Sequence, residues 1–274
     1  MEETIGVDGI NVCYEVEGKG EPMLLVHGMG FGRRAWAEVI AGAAASYRVY
    51  APDLPGFGGS EAPDIPYSVP FYMELLNKLM HQLGLEQAIV AGTSMGGAVA
   101  ASLAASHPDK VGRLVLVAPA GLTPPEGEFV RPSRLMDAEY WILAHNKDHF
   151  LSSLADLFYD RKKLTDKMVD EAWAEMRRPE HRRALLRNAQ YLAKPDPDFP
   201  ELVASIEAPT LIVWGEQDRI VPASDAGQFA RLIKRSEVRY FPLCGHAVPA
   251  EQGGKLTDVV LEFLGKEVRY DARE

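Results

Sequence analysis

One serine in this chain stands where a serine can become a nucleophile. The segment Ala91-Gly92-Thr93-Ser94-Met95-Gly96-Gly97 follows a short apolar run and opens an alanine-rich stretch of helical character. Gly-x-Ser-x-Gly between a strand and a helix places the serine on a sharp, strained turn, with its hydroxyl lifted clear of the backbone. Glycines on either side remove Cβ atoms that would collide there, and the following helix turns its positive end toward the reacting oxygen. A serine hydroxyl is a poor nucleophile until a base takes its proton. Of the seven histidines, His246 in Cys244-Gly245-His246-Ala247 lies just past the last apolar strand-like run. His81 and His107 fall in or at the end of a helical stretch, His145, His149 and His181 fall in a helical segment, and His27 begins a glycine loop. An imidazole base needs a carboxylate to fix its tautomer. Asp218 follows Leu211-Ile212-Val213-Trp214-Gly215-Glu216-Gln217, upstream of His246 by enough chain for one helix and one strand. Glu216 is its nearest competitor, but Asp218 better clears the strand end. The order Ser94, Asp218, His246 suits a serine-hydrolase chemistry.

These side chains need a scaffold that brings strand ends to one edge. Apolar runs without alternation, such as Met23-Leu24-Leu25-Val26 and Leu114-Val115-Leu116-Val117, predict strands covered on both faces, as in a parallel sheet. Strands are predicted over 22–27, 48–51, 87–91, 113–118, 210–214 and 237–241, after two short ones within 4–16 around Asp8-Gly9. Helices are predicted over 69–83, ending at Gly84, and over 95–106, 223–233 and 255–264. Alternating strands and helices imply right-handed crossovers, a mostly parallel sheet, and active groups at its carboxyl edge. Between 123 and 195 the strand pattern stops, and apolar and aromatic residues recur at helical spacing, among them Leu135, Trp141, Phe150, Leu154, Leu157, Phe158, Met168, Ala172 and Trp173. The expected organisation is a core of 1–122 and 196–274, interrupted by a helical cap over 123–195. Trp141, Phe150, Phe158 and Trp173 either line a pocket under that cap or pack its helices together.

The chain has 274 residues, 47% of them hydrophobic and 25% charged, enough to bury a core without metal or disulfide support. Its net charge of −10 is opposite to what phosphate-backbone neutralisation requires, so nucleic-acid binding is not expected. The opening Met-Glu-Glu-Thr lacks a signal peptide's basic and apolar regions, and no apolar run approaches the ~18 residues of a membrane span. Cys13 and Cys244 have no metal-ligand spacing and read as free thiols of a reducing compartment. A cytoplasmic protein without metal or cofactor, monomeric or homodimeric and acting on a small molecule, is expected.

Five ordered segments resemble the α/β-hydrolase superfamily: Val26-His27-Gly28-Met29-Gly30, Asp53-Leu54-Pro55-Gly56-Phe57-Gly58-Gly59-Ser60, Gly92 to Gly97, Trp214 to Asp218, and Gly245-His246. The resemblance runs from about residue 5 to 265. It implies an eight-stranded, mostly parallel sheet with helices on both faces, a helical cap, and cofactor-free hydrolysis. It also implies an oxyanion hole from the backbone N–H groups of Met29, with Gly30 as its alternative, and Met95, and a structural role for Asp53. Serine at 94 sets the chain apart from the family's aspartate-nucleophile branches. The preferred reading is an ester hydrolase working on small to medium acyl chains through an acyl-enzyme. The alternative is a carbon–carbon bond hydrolase of aromatic meta-cleavage products, which Val111 to Leu116 and Phe158-Tyr159-Asp160 also resemble. Ala247 and Thr93 stand where that group usually has Trp and Asn, which places the ester reading first. A hydrolase-like small-ligand receptor is the non-enzymatic alternative.

Overall fold

The computed structural model describes residues 1–124, 145–194 and 196–266. Eight strands form one sheet: β1 (Glu2–Val7), β2 (Ile10–Glu17), β3 (Glu21–Val26), β4 (Tyr47–Pro52), β5 (Ala88–Thr93), β6 (Val111–Val117), β7 (Thr210–Gly215) and β8 (Ser236–Phe241). Their spatial order is β1-β2-β4-β3-β5-β6-β7-β8. The β1–β2 and β2–β4 pairs are antiparallel and all the others parallel. This is the mostly parallel sheet that the apolar runs predict, with the eight strands that the family resemblance implies.

Side chains alternate faces along a strand, so each apolar run feeds two cores. Leu24, Val26, Val90, Leu114, Leu116, Ile212 and Trp214 face one side. Met23, Leu25, Ile89, Ala91, Val115, Val117, Leu211 and Val213 face the other. The first side is covered by α2 (Val69–Gln82) and α3 (Met95–Ser106), the second by α1 (Ala37–Ala43) and the C-terminal helix. α2 starts where the pattern predicts, with Ser68 Oγ accepting from the N–H of Phe71 at 3.2 Å. It stops at Leu83, before Gly84 in the left-handed region at φ 68°. α3 is almost wholly buried, so its Ala, Gly and Ser content allows it to sit close against the sheet and α2.

Between β6 and β7 the described chain is helical: α4 (Lys147–Ala155), α5 (Asp166–Arg177), α6 (Pro179–Leu192) and the short α7 (Phe199–Ala204). Leu135, Tyr140, Trp141 and Leu143 lie outside the described residues. After β7 come α8 (Asp225–Leu232), then α9 (Val248–Glu251) and α10 (Gly253–Gly265) after β8. α8 begins two residues later than the pattern suggests, and α10 begins at Gly253. α1 and α9 are not foreseen, because seven and four residues are too few for a helical period to stand out. Among the described residues, no helix is long and apolar enough to cross a membrane.

Candidate active site

Ser94 sits between β5 and α3 with φ 53° and ψ −121°. A non-glycine residue there is strained, and the surroundings hold it. Its N–H donates to Val117 O at 3.0 Å, while its own carbonyl accepts from the N–H groups of Gly97, Ala98 and Ala120. The turn closes only because its flanks lack side chains. A Cβ on Gly92 would lie 2.1 Å from Gly96 O, and one on Gly96 would lie 2.3 Å from Val26 O.

His246 follows β8 and is 7% exposed. Its Nε2 is 2.9 Å from Ser94 Oγ, and its Nδ1 is 2.8 Å from Asp218 Oδ2. The side chain of Asp218 is fully buried. Its Oδ1 accepts from the N–H groups of Ile220 at 2.8 Å and Val221 at 3.0 Å. With both oxygens engaged, the carboxylate is fixed in orientation as well as position. The two loops are tied to each other. The Gln217 N–H donates to Cys244 O, and the Cys244 N–H donates to Gln217 Oε1, each at 3.0 Å. Glu216 is exposed, and its N–H is held by Phe241 O. The structure therefore brings Ser94, His246 and Asp218 together and leaves Glu216 outside. The burial that keeps this loop dry pushes the Cys244 thiol up to about 12, so the buried cysteine beside His246 is an inert packing group.

Gly28 passes directly over the serine: a Cβ there would lie 2.9 Å from Ser94 Cβ. This brings the next residue, Met29, into the wall of the cavity that holds Ser94, Thr93, Leu157, His246 and Ala247. Met95 is the first residue of α3, a position whose N–H has no partner within the helix. Gly30 lines a different cavity. Two neighbours hold the loop. His27 is fully buried, with Nδ1 donating to Gly28 O at 2.6 Å and Nε2 accepting from the Leu54 N–H at 2.9 Å. That pair of bonds requires a neutral ring, and burial holds the His27 pKa below its usual value. Asp53 accepts from the N–H groups of Arg33 and Gly59 and from the Arg33 guanidinium. It organises the loop 32–33 against 58–59 and lines the same cavity as Gly30, not the one that holds Ser94.

One buried carboxylate went unread in the sequence. Glu251 of α9 is 2% exposed. Its Oε2 accepts from the Gly245 N–H at 2.8 Å and the Tyr159 N–H at 3.1 Å, and its Oε1 accepts from the Asp160 N–H at 2.8 Å. The residue before His246 is thereby joined to the chain that follows α4. The Ala247 N–H adds a bond to Leu157 O at 3.0 Å. Nothing in the local sequence distinguishes Glu251 from a surface glutamate. Of the four aromatic residues expected in the helical insertion, Phe150 and Trp173 pack on each other at 5.7 Å between ring centres, and Phe158 meets Phe31 edge-on. Trp141 lies outside the described residues. Among the described residues, no group of His, Cys, Asp and Glu is arranged to hold a metal.

Comparison with known proteins agrees with this architecture. The chain is 31% identical over 271 residues to a 2-hydroxymuconate semialdehyde hydrolase of Pseudomonas sp. strain CF600, covering 94% of this chain and 92% of the relative. It is 29% identical over 272 residues to a 2-hydroxy-6-oxo-6-(2'-aminophenyl)hexa-2,4-dienoic acid hydrolase of Metapseudomonas resinovorans, covering 97% and 91%. Its structure is similar to that of a membrane phospholipase A with a TM-score of 0.81 at 27% identity, covering 96% of this chain and 85% of the other. The model of the α/β hydrolase fold matches residues 21–252. The chain belongs to the α/β-hydrolase superfamily and has its matched relatives in the meta-cleavage product hydrolase branch.

Proposed function

We propose that the protein is a serine hydrolase that cleaves the carbon–carbon bond beside the ketone of 2-hydroxy-6-oxo-dienoate compounds. This reverses the order of the two hydrolytic readings drawn from the sequence. The observation that carries it is the naming of relatives, matched over more than nine-tenths of both chains, for that class of reaction. The geometry supplies what the chemistry needs. Ser94 Oγ attacks the ketone carbon while His246 Nε2 takes its proton, and Asp218 steadies the imidazolium. The N–H groups of Met29 and Met95 receive the new oxyanion, where each fixed donor contributes ~3–4 kcal/mol. With the substrate in its keto form, the bond to the neighbouring carbon breaks, and its electron pair passes through the conjugated chain to the 2-oxo group. His246 returns a proton to that fragment, which leaves as a 2-hydroxydienoate. Water then adds across the acyl–Ser94 bond with His246 again as base, releasing a carboxylic acid and restoring Ser94. One water is consumed, and no cofactor enters either step. The helices α4, α5 and α6 act as a cap that excludes bulk water from the acyl intermediate.

The test is to follow loss of the dienoate absorbance with 2-hydroxy-6-oxo-6-phenylhexa-2,4-dienoate, beside a panel of 4-nitrophenyl esters. The reading expects the larger kcat/KM on the dienoate. Ester hydrolysis is the second reading. It is favoured by Thr93 and Ala247 in the wall of the Ser94 cavity, where the carbon–carbon group usually has Asn and Trp, and by the likeness to a phospholipase A. Rapid turnover of esters with none of the dienoate would establish it instead. Turnover of neither would leave a ligand-binding protein.

A further inference from the structure

Beside the Ser94 cavity lies a second one, and Phe31 and Ala35 form a wall common to both. Its apolar lining comes mainly from the helical insertion: Phe150 of α4, Met168 and Met176 of α5, and Leu185 of α6. Its polar lining is acidic. Asp53, Glu171 and Glu175 line it together with Arg34, whose Nε lies 3.9 Å from Glu171 Oε2. His181 of α6 also lines it and is 3% exposed. His181 Nδ1 lies 2.5 Å from Glu175 Oε2, at an angle that makes no hydrogen bond, and Nε2 has no partner among the described residues. A buried ring nitrogen without a partner is unfavourable unless something completes it. Nε2 can take a hydrogen-bond partner, and a hydroxyl, which both donates and accepts, can complete it.

We propose that this cavity is a specificity subsite for the acyl arm of the substrate, and that His181 Nε2 recognises a hydroxyl at the far end of an otherwise apolar arm. The assignment rests on the hydrolase reading only in that the substrate carbonyl sits at Ser94. The arm passes Phe31 on its way from one cavity to the other. Three carboxylates, Asp53, Glu171 and Glu175, against one loosely paired arginine in the lining make the cavity unsuited to a carboxylate, so the charged end of a dienoate lies elsewhere.

The experiment compares 4-nitrophenyl esters of a straight acyl series, each length with a methyl, hydroxyl or carboxylate terminus. The wild type is expected to prefer the hydroxyl over the methyl terminus by about tenfold in kcat/KM at one chain length, the worth of one well-placed hydrogen bond, with the carboxylate poorest. His181→Leu is expected to bring that preference to about one. His181→Gln, which keeps an acceptor, should retain part of it and serves if the leucine variant does not fold. A wild-type preference of one means that no arm terminus reaches Nε2, and overturns the proposal. So does a carboxylate optimum, or a preference that survives in His181→Leu. If esters are not turned over, the same esters are titrated into Ser94→Ala protein by calorimetry, where equal affinity for the hydroxyl and methyl termini overturns it. The dienoate assay reports separately: a hydroxyl preference without dienoate turnover leaves the subsite standing and removes the carbon–carbon reading.

Discussion

At the scale of single residues, the site depends on a carboxylate that the neighbouring glutamate cannot replace. The Asp218 side chain is fully buried, with both oxygens bonded, while Glu216 is exposed. Replacing Asp218 with Asn is expected to lower kcat about 10⁴-fold by favouring the wrong imidazole tautomer. Glu216→Gln should stay near the wild type, and steady-state kinetics on the two variants distinguishes them. Ser94, Asp218 and His246 were legible in the sequence because each follows an apolar run, and a parallel sheet sends all such positions to one edge. Glu251 and His181 were not legible. Their surroundings draw on chain segments distant in sequence: 159–160 for Glu251, and loops 30–35 and 53–58 with α4 for the cavity at His181.

At the scale of elements, Glu251 joins α9, the His246 loop and the chain beyond α4 through three N–H bonds. Glutamine presents one carbonyl oxygen in place of two carboxylate oxygens, so at least one buried N–H loses its acceptor. Such a loss costs about 1–3 kcal/mol. Glu251→Gln is therefore expected to lower the melting temperature, and to lower kcat as well, because the same bonds set the position of Gly245 next to His246. Thermal unfolding and kinetics measured together check this; a variant with unaltered stability would show that the carboxylate does not hold these segments. The longer strands and helices were readable because their apolar runs are continuous or helically spaced. The boundaries of α8 and α10 and the existence of α1 and α9 were not, because tertiary packing and not local capping sets them: none of the four has a side-chain N-cap bond.

At the scale of the whole molecule, His27 ties folding to pH. It is buried as the neutral ring between Gly28 O and the Leu54 N–H, with its pKa lowered by desolvation. In the unfolded chain it takes up a proton near its ordinary value of ~6.5. Below that pH the unfolded state binds a proton that the folded state refuses, so this residue's share of stability is present above ~6.5 and is lost as pH falls toward the lower folded value. Denaturant unfolding from pH 7.5 to 5 is expected to show falling stability, with a shallower slope in His27→Gln. An equal slope in both proteins would assign the loss to other groups.

The central claim is that a serine on a strained turn, served by His246 and Asp218, breaks the carbon–carbon bond of a 2-hydroxy-6-oxo-dienoate. Its most direct test is kcat on 2-hydroxy-6-oxo-6-phenylhexa-2,4-dienoate for the wild type and for Ser94→Ala. The account predicts rapid loss of the dienoate absorbance in the wild type and a fall on the order of 10⁶-fold in the variant, as when a comparable triad loses its nucleophile. A wild type that leaves the dienoate intact, or a variant that consumes it as fast as the wild type, would contradict it.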